Sequence, residues 1–164
     1  MSEKSEIVKI FEIAAREAGQ LIIEQFGKIS EAKVQSKDLG DFVTTTDLET
    51  ENILLKVLKQ HFPYSSYITE ESDPFKGNEE TIVIDPIDGT TNFIHGIPAV
   101  GVVIGRIYKT EITDGIIFNP ILDEFYFATK GKGSWCNGNK LMVSKKKDIS
   151  DCLIGATIPH ANRG

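Results

Sequence analysis

Between residues 5 and 26 the apolar side chains Ile7, Ile10, Phe11, Ala14, Ala18, Leu21 and Ile22 recur at three- and four-residue intervals. That period lays one apolar stripe along a helix, and Gly27 supplies a stop signal. The polar stretch 28–41 (KISEAKVQSKDLGD) reads as a connector with an extended segment around Val34. A second helix is expected from near Asp47. Thr46 and Glu49 form the T-x-x-E pattern of a capping box, and Leu48, Leu54, Leu55, Leu58 and Phe62 give an apolar stripe that Pro63 closes. Asp47 then sits in the first helical turn, where the dipole favours negative charge.

Beyond Pro63 the period shortens toward two. The stretch 65–70 (SSYITE) reads as a short strand and 81–85 (TIVID) as a buried one. Residues 99–108 (AVGVVIGRIY) and 111–119 (EITDGIIFN) read as two strands joined by a tight turn at Lys109-Thr110. Asn119-Pro120 marks a further turn, and 123–130 (DEFYFATK) a further strand. A Gly-rich connector, 131–140, follows, and 152–158 (CLIGATI) is the last strand candidate. Helices first and neighbouring strands afterwards give an α+β class, with helices packed on a largely antiparallel sheet.

Composition changes this picture little. The chain of 164 residues suits one domain, 1–164, with a real core. A net charge of −6 with no basic stripe argues against nucleic acid or an anionic membrane as partner. The run Lys145-Lys146-Lys147 reads as a solvated loop. Cys136 and Cys152 lack metal-ligand or disulfide-framework spacing and fit a reducing cytoplasm. The first residues carry mixed charge without the apolar segment of a signal peptide, and no apolar run approaches membrane-spanning length. A cytoplasmic location is expected.

The candidate chemistry lies in residues 83–93, VIDPIDGTTNF. Pro86 lacks an N–H, so the strand is expected to turn there and let Asp85 and Asp88 converge with the Ile87 carbonyl. Three hard oxygen donors suit Mg²⁺. Gly89 allows close approach to the backbone, and a helical turn starting at Thr90 would face an anion with free N–H groups. Asp-Pro and Asp-Gly are also plain turn formers, and the pattern alone leaves both readings open. Glu70 and Glu71 end a strand, where one can face inward. Asp47 can equally be a helix-dipole partner. His95 has no second ligand at metal spacing, Trp135 reads as packing, and Cys136 has no neighbouring base.

Three stretches taken together are more specific: GDFVTTTD with Asp47, TEES with Glu70 and Glu71, and DPIDGTTNF. In order and spacing they resemble the inositol monophosphatase family of Mg²⁺-dependent, lithium-sensitive phosphatases. The stretches IHGIPAVGVVIG and GIIFNPILDEFYFATKGKGSWCNG continue the likeness, as does ATIP. The resemblance implies the first part of a layered αβαβα sandwich and hydrolysis of a small phosphate monoester, inositol monophosphate first. Relatives on this scaffold act on fructose 1,6-bisphosphate, histidinol phosphate or 3′-phosphonucleotides, and a non-catalytic interaction module is the alternative.

By the same resemblance, Glu70, Asp85 and the Ile87 carbonyl would hold one Mg²⁺, and Asp85 and Asp88 a second. Glu70 and Thr90 would orient the attacking water, with Asp47 bonded to Thr90. The Gly89 and Thr90 N–H groups would hold phosphate, with Asp88, Ile87 and Glu70 also lining the substrate. Glu71 would support the ligands, and Lys37 matches a loop lysine. A homodimer fits the family. The family's C-terminal α/β part, with the aspartate that completes the second metal site, has no counterpart, and Asp114, Asp123, Asp148 and Asp151 lack its context. The chain is therefore expected to be an N-terminal fragment with an uncovered apolar sheet face, weak Mg²⁺ binding and little turnover.

Overall fold

The computed structural model describes residues 4–28, 34–38 and 41–155. Helix α1 spans Glu6–Gln25, one residue from its expected limits. The Ser5 hydroxyl accepts from the Val8 N–H at 3.2 Å and donates to Asp114 at 3.0 Å, so the cap also ties the helix to the sheet. Val8, Phe11, Ala14, Ala15, Ala18 and Ile22 are fully buried along its inner stripe. At Gly19 an added Cβ would lie 2.8 Å from the Phe118 ring, so glycine sets how closely this helix approaches the sheet.

A hairpin of β1 (Val34–Asp38) and β2 (Asp41–Thr44) leads directly into α2 (Thr45–His61). The strand runs into the helix without a loop, so Thr46 lies inside the first turn rather than capping it. The apolar stripe expected for α2 also needs correction. Leu54 and Leu58 are fully buried, but Leu48 is 44% exposed, and the first two turns bury Thr46, Asp47, Thr50 and Glu51 instead.

Seven strands form the main sheet in consecutive order: β3 (Ser66–Thr69), β4 (Glu80–Asp88), β5 (Gly101–Tyr108), β6 (Glu111–Asn119), β7 (Glu124–Thr129), β8 (Gly133–Cys136) and β9 (Asn139–Lys140). Only the β3–β4 pair is parallel. Between β4 and β5 lies the short helix α3 (Thr90–Ile94). The tight turn at Lys109-Thr110 is present, since Tyr108 pairs with Glu111. The stretch 131–140 holds the β8–β9 hairpin rather than a plain connector. Its turn, Asn137-Gly138, has both φ angles positive (45° and 82°), the geometry for which Asn-Gly is suited. The strand expected at 152–158 is not formed at Cys152–Gly155, where Leu153 is fully exposed; the rest of that stretch lies outside the described residues.

Both long helices lie on one sheet face. Ile82, Ile84, Val102, Ile104, Ile116, Phe118, Phe125 and Phe127 point into that core. Trp135 stacks on Phe127 at 6.4 Å, a packing role. On the other face, Ile112 and Ile117 are 73% and 48% exposed, and a depression of about 310 Å³ runs across β5, β6 and β7. The expected uncovered apolar face is thus present among the described residues. No helix among them is long and apolar enough to cross a membrane.

Candidate active site

Strand β4 does not end at Pro86. It continues to Asp88 through a bulge: Asp85 sits opposite Val103 and Asp88 opposite Gly101, so Pro86 and Ile87 together face the single residue Val102. The missing proline N–H is absorbed where ladder bonding is already interrupted. On a regular strand, side chains three apart point to opposite faces. The extra residue restores the match, because Val103 and Gly101 lie on the same face of β5. Asp85 and Asp88 therefore emerge together on the face away from the helices. Ile84 and Ile87, also three apart, both enter the core at 2% and 1% exposure.

Helix α3 starts immediately after the bulge. Gly89 has φ of 90°, and an added Cβ would sit 2.8 Å from the Ala99 carbonyl oxygen, so this position requires glycine. Asn92 Nδ2 donates to the same carbonyl at 2.8 Å and fixes the turn. Thr90 is thereby delivered to Asp47. Its hydroxyl lies 3.2 Å from Asp47 Oδ1 and 3.1 Å from the Ile87 carbonyl oxygen. One proton serves two acceptors, so whatever engages the carbonyl turns the hydroxyl toward Asp47. Asp47 is 2% exposed, deeper than a helix-dipole partner requires.

Glu70 follows β3, the parallel neighbour of β4. Burial, then the charges of Glu70 and Asp88, push the Asp85 carboxyl from 3.8 up to about 7. Asp85 Oδ1 is buried with no hydrogen-bond partner among the described residues. No salt bridge among them reaches Glu70, Asp85 or Asp88. Crowded hard-oxygen groups with an orphaned buried oxygen fit a divalent cation. No three acidic, His or Cys side chains among the described residues form a cage by themselves. A cation there would also need the Ile87 carbonyl or water. Beside Asp88 and Gly89, a depression of about 250 Å³ is bordered by Asn92, Asn119, Glu124 and Tyr126.

The remaining expected residues separate cleanly. Glu71 follows Glu70, and its N–H donates to Glu51 Oε2 at 2.9 Å. Lys37 lies within β1, with its side chain outside the described residues. His95 ends α3 on the surface. Cys136 and Cys152 are free thiols. Asp114 is buried and structural, receiving Ser5 and Thr129 hydroxyls and facing Arg106 at 3.6 Å. Asp123 pairs with Arg16, and Asp148 precedes and Asp151 ends the exposed turn Ile149–Asp151. Sequence reasoning missed Glu51. Its signal was an acid at i+4 from Asp47 in the stripe that continues through Leu54 and Leu58.

The fold and site together define a class: helices backing one face of a mainly antiparallel sheet, with carboxylates gathered at a bulged strand end on the other. A model of the inositol monophosphatase family matches residues 3–164. The chain belongs to that family. It is 40% identical over 149 residues to inositol monophosphatase 1 of Rattus norvegicus, covering 87% of this chain and 53% of the relative. It is 35% identical to a putative Nus factor SuhB of Neisseria meningitidis, covering 89% and 57%. The crystal structure of the extragenic suppressor protein suhB from Bartonella henselae superposes with a TM-score of 0.84 at 33% identity, over 87% of this chain and 56% of that one. The chain spans a little over half the length of these relatives.

Proposed function

We propose that this chain carries a divalent-metal and phosphate site for Mg²⁺-dependent hydrolysis of a small phosphate monoester, with inositol monophosphate the favoured substrate. The observation that carries the reading is the bulge, which puts Asp85 and Asp88 on one face with a buried, unpartnered Asp85 oxygen beside Glu70. Glu70, Asp85 and the Ile87 carbonyl would hold one cation, and Asp85 with Asp88 a second. Bound there, Mg²⁺ supplies Lewis-acid chemistry, lowering the pKa of water and neutralising phosphate charge.

The chain's own groups do the rest. Glu70 accepts a proton from the attacking water. Thr90 orients that water through its hydroxyl, which Asp47 holds from the buried side. The N–H groups of Gly89 and Thr90, at the open start of α3, face phosphate oxygens. The depression beside Asp88 leaves room for the rest of a small substrate. Phosphate release from inositol 1-phosphate tests the reading. Release that requires Mg²⁺ and falls to background in Asp85→Asn supports it. Release indifferent to Mg²⁺ or to that substitution overturns it.

A second reading rests on the exposed Ile112 and Ile117 face: the chain keeps the fold and binds a protein partner there. Mg²⁺-dependent turnover is the discriminating readout. The net charge of −6 weighs against direct phosphate-backbone binding.

A further inference from the structure

Glu51 is a fully buried acid outside the metal and phosphate set, at 1% exposure. Both of its oxygens are used. Oε2 accepts the Glu71 N–H at 2.9 Å, and Oε1 accepts the Ser72 hydroxyl. No lysine or arginine pairs with it among the described residues. Burying a carboxyl group without a cation is costly, and an apolar side chain of similar size would fill this part of the core at less cost. Its position explains the cost. Asp47 and Glu51 lie one turn apart on the inner face of α2. Asp47 holds Thr90, which follows the bulge, and Glu51 holds the backbone immediately after Glu70. One rigid helix thus sets the two arms of the site against each other. The turn after Glu70 is closed farther out by the Tyr67–Phe75 bridge; within it Ser72 is exposed, and its carbonyl accepts the Thr69 hydroxyl at 3.0 Å.

We propose that Glu51 is a positioning residue: through the Glu71 N–H and the Ser72 hydroxyl it holds the Glu70 carboxyl beside Asp85 in a geometry ready for a divalent cation. This rests on the metal reading above. It differs from a purely structural role in one respect, since it acts on cation affinity through two hydrogen bonds and not through charge. Glutamine can keep both, accepting the Glu71 N–H and donating to Ser72, whereas alanine keeps neither.

The test uses the whole chain with Mn²⁺ as the probe, bound ion being read by electron paramagnetic resonance without any substrate. Loss of an outer support of this kind weakens metal binding by about 10- to 100-fold, which is the change expected for Glu51→Ala. Glu51→Gln should stay within about 3-fold of the parent, and Ser72→Ala, on the surface, should weaken binding by about 2- to 5-fold. Hydrogen exchange at the Glu71 amide in metal-free protein should accelerate in Glu51→Ala and not in Glu51→Gln. Ile22→Val in the remote core lowers stability and should leave the Mn²⁺ constant unmoved. An unchanged Mn²⁺ constant in both Glu51→Ala and Ser72→Ala would overturn the proposal alone. Absence in the parent of any Mn²⁺ binding that Asp85→Asn removes would overturn the metal reading, and the proposal with it.

Discussion

Helices α1 and α2 lie side by side on the same sheet face and bury opposite chemistry. The inner stripe of α1 is Val8, Phe11, Ala14, Ala18 and Ile22, and no charged or polar side chain of this helix is fully buried. The second half of α2 follows the same rule through Leu54 and Leu58. Its first half inverts it: Thr46, Asp47, Thr50 and Glu51 are inside while Leu48 is outside. Polar groups enter a core only at a cost, so the inversion marks where the fold serves something besides its own stability. The inverted turns lie under the bulge of β4 and the turn after Glu70, where the carboxylates gather.

Substitutions in the two helices should separate these roles. Phe11→Ala, at a fully buried ring set edge-on to Phe62 at 6.0 Å, should cost about 3–5 kcal/mol in urea unfolding. Binding of Mn²⁺ by the folded fraction should be unaffected. Leu54→Ala should cost about 2–5 kcal/mol by the same mechanism, making the second half of α2 behave like α1. If Phe11→Ala weakened metal binding as much as Glu51→Ala does, the division of labour would be wrong.

A smaller effect concerns pH. The Asp85 carboxyl is raised from 3.8 to about 7, so the folded, metal-free chain keeps a proton that the unfolded chain releases. This group's contribution to stability is therefore full below its unfolded value and is lost as pH rises to about 7. Cation binding must expel that proton, so Mn²⁺ affinity should climb by up to about tenfold per pH unit below 7 and level off above it. Calorimetric titrations at about pH 6 and about pH 8 check the slope. An affinity that fell with rising pH would contradict the assignment of Asp85. The smallest effect should be Leu48→Ala, within about 0.5 kcal/mol, because that side chain already faces water. A loss as large as that of Leu54→Ala would break the comparison.

Much of this architecture was legible in the sequence where one local rule operated at a time. The α1 stripe, its glycine stop and the Lys109-Thr110 turn follow from period and turn chemistry. The candidate residues were legible through three motifs, but their geometry was not. Pro86 suggested a turn, whereas the neighbouring strand β5 holds β4 in register beyond it and converts the break into a bulge. Glu51 was hidden because an acid in a helix is ordinarily solvated; only the fold places the Glu71 N–H above it. The β8–β9 hairpin carried a legible Asn-Gly signal within a glycine-rich run that read as a connector. The reverse error occurred at 152–155, where an apolar stretch has no sheet partner.

A cation site at Asp85 is tested by thermal melting of the parent chain and Asp85→Asn at about pH 8, without and with millimolar Mg²⁺. The two melting temperatures should cross. Without metal the variant should melt higher, because it removes a buried charge crowded by Glu70 and Asp88. With Mg²⁺ the parent should rise and the variant should not. Equal Mg²⁺ shifts in the two proteins, or none in the parent, would contradict the claim that these carboxylates are gathered for a cation.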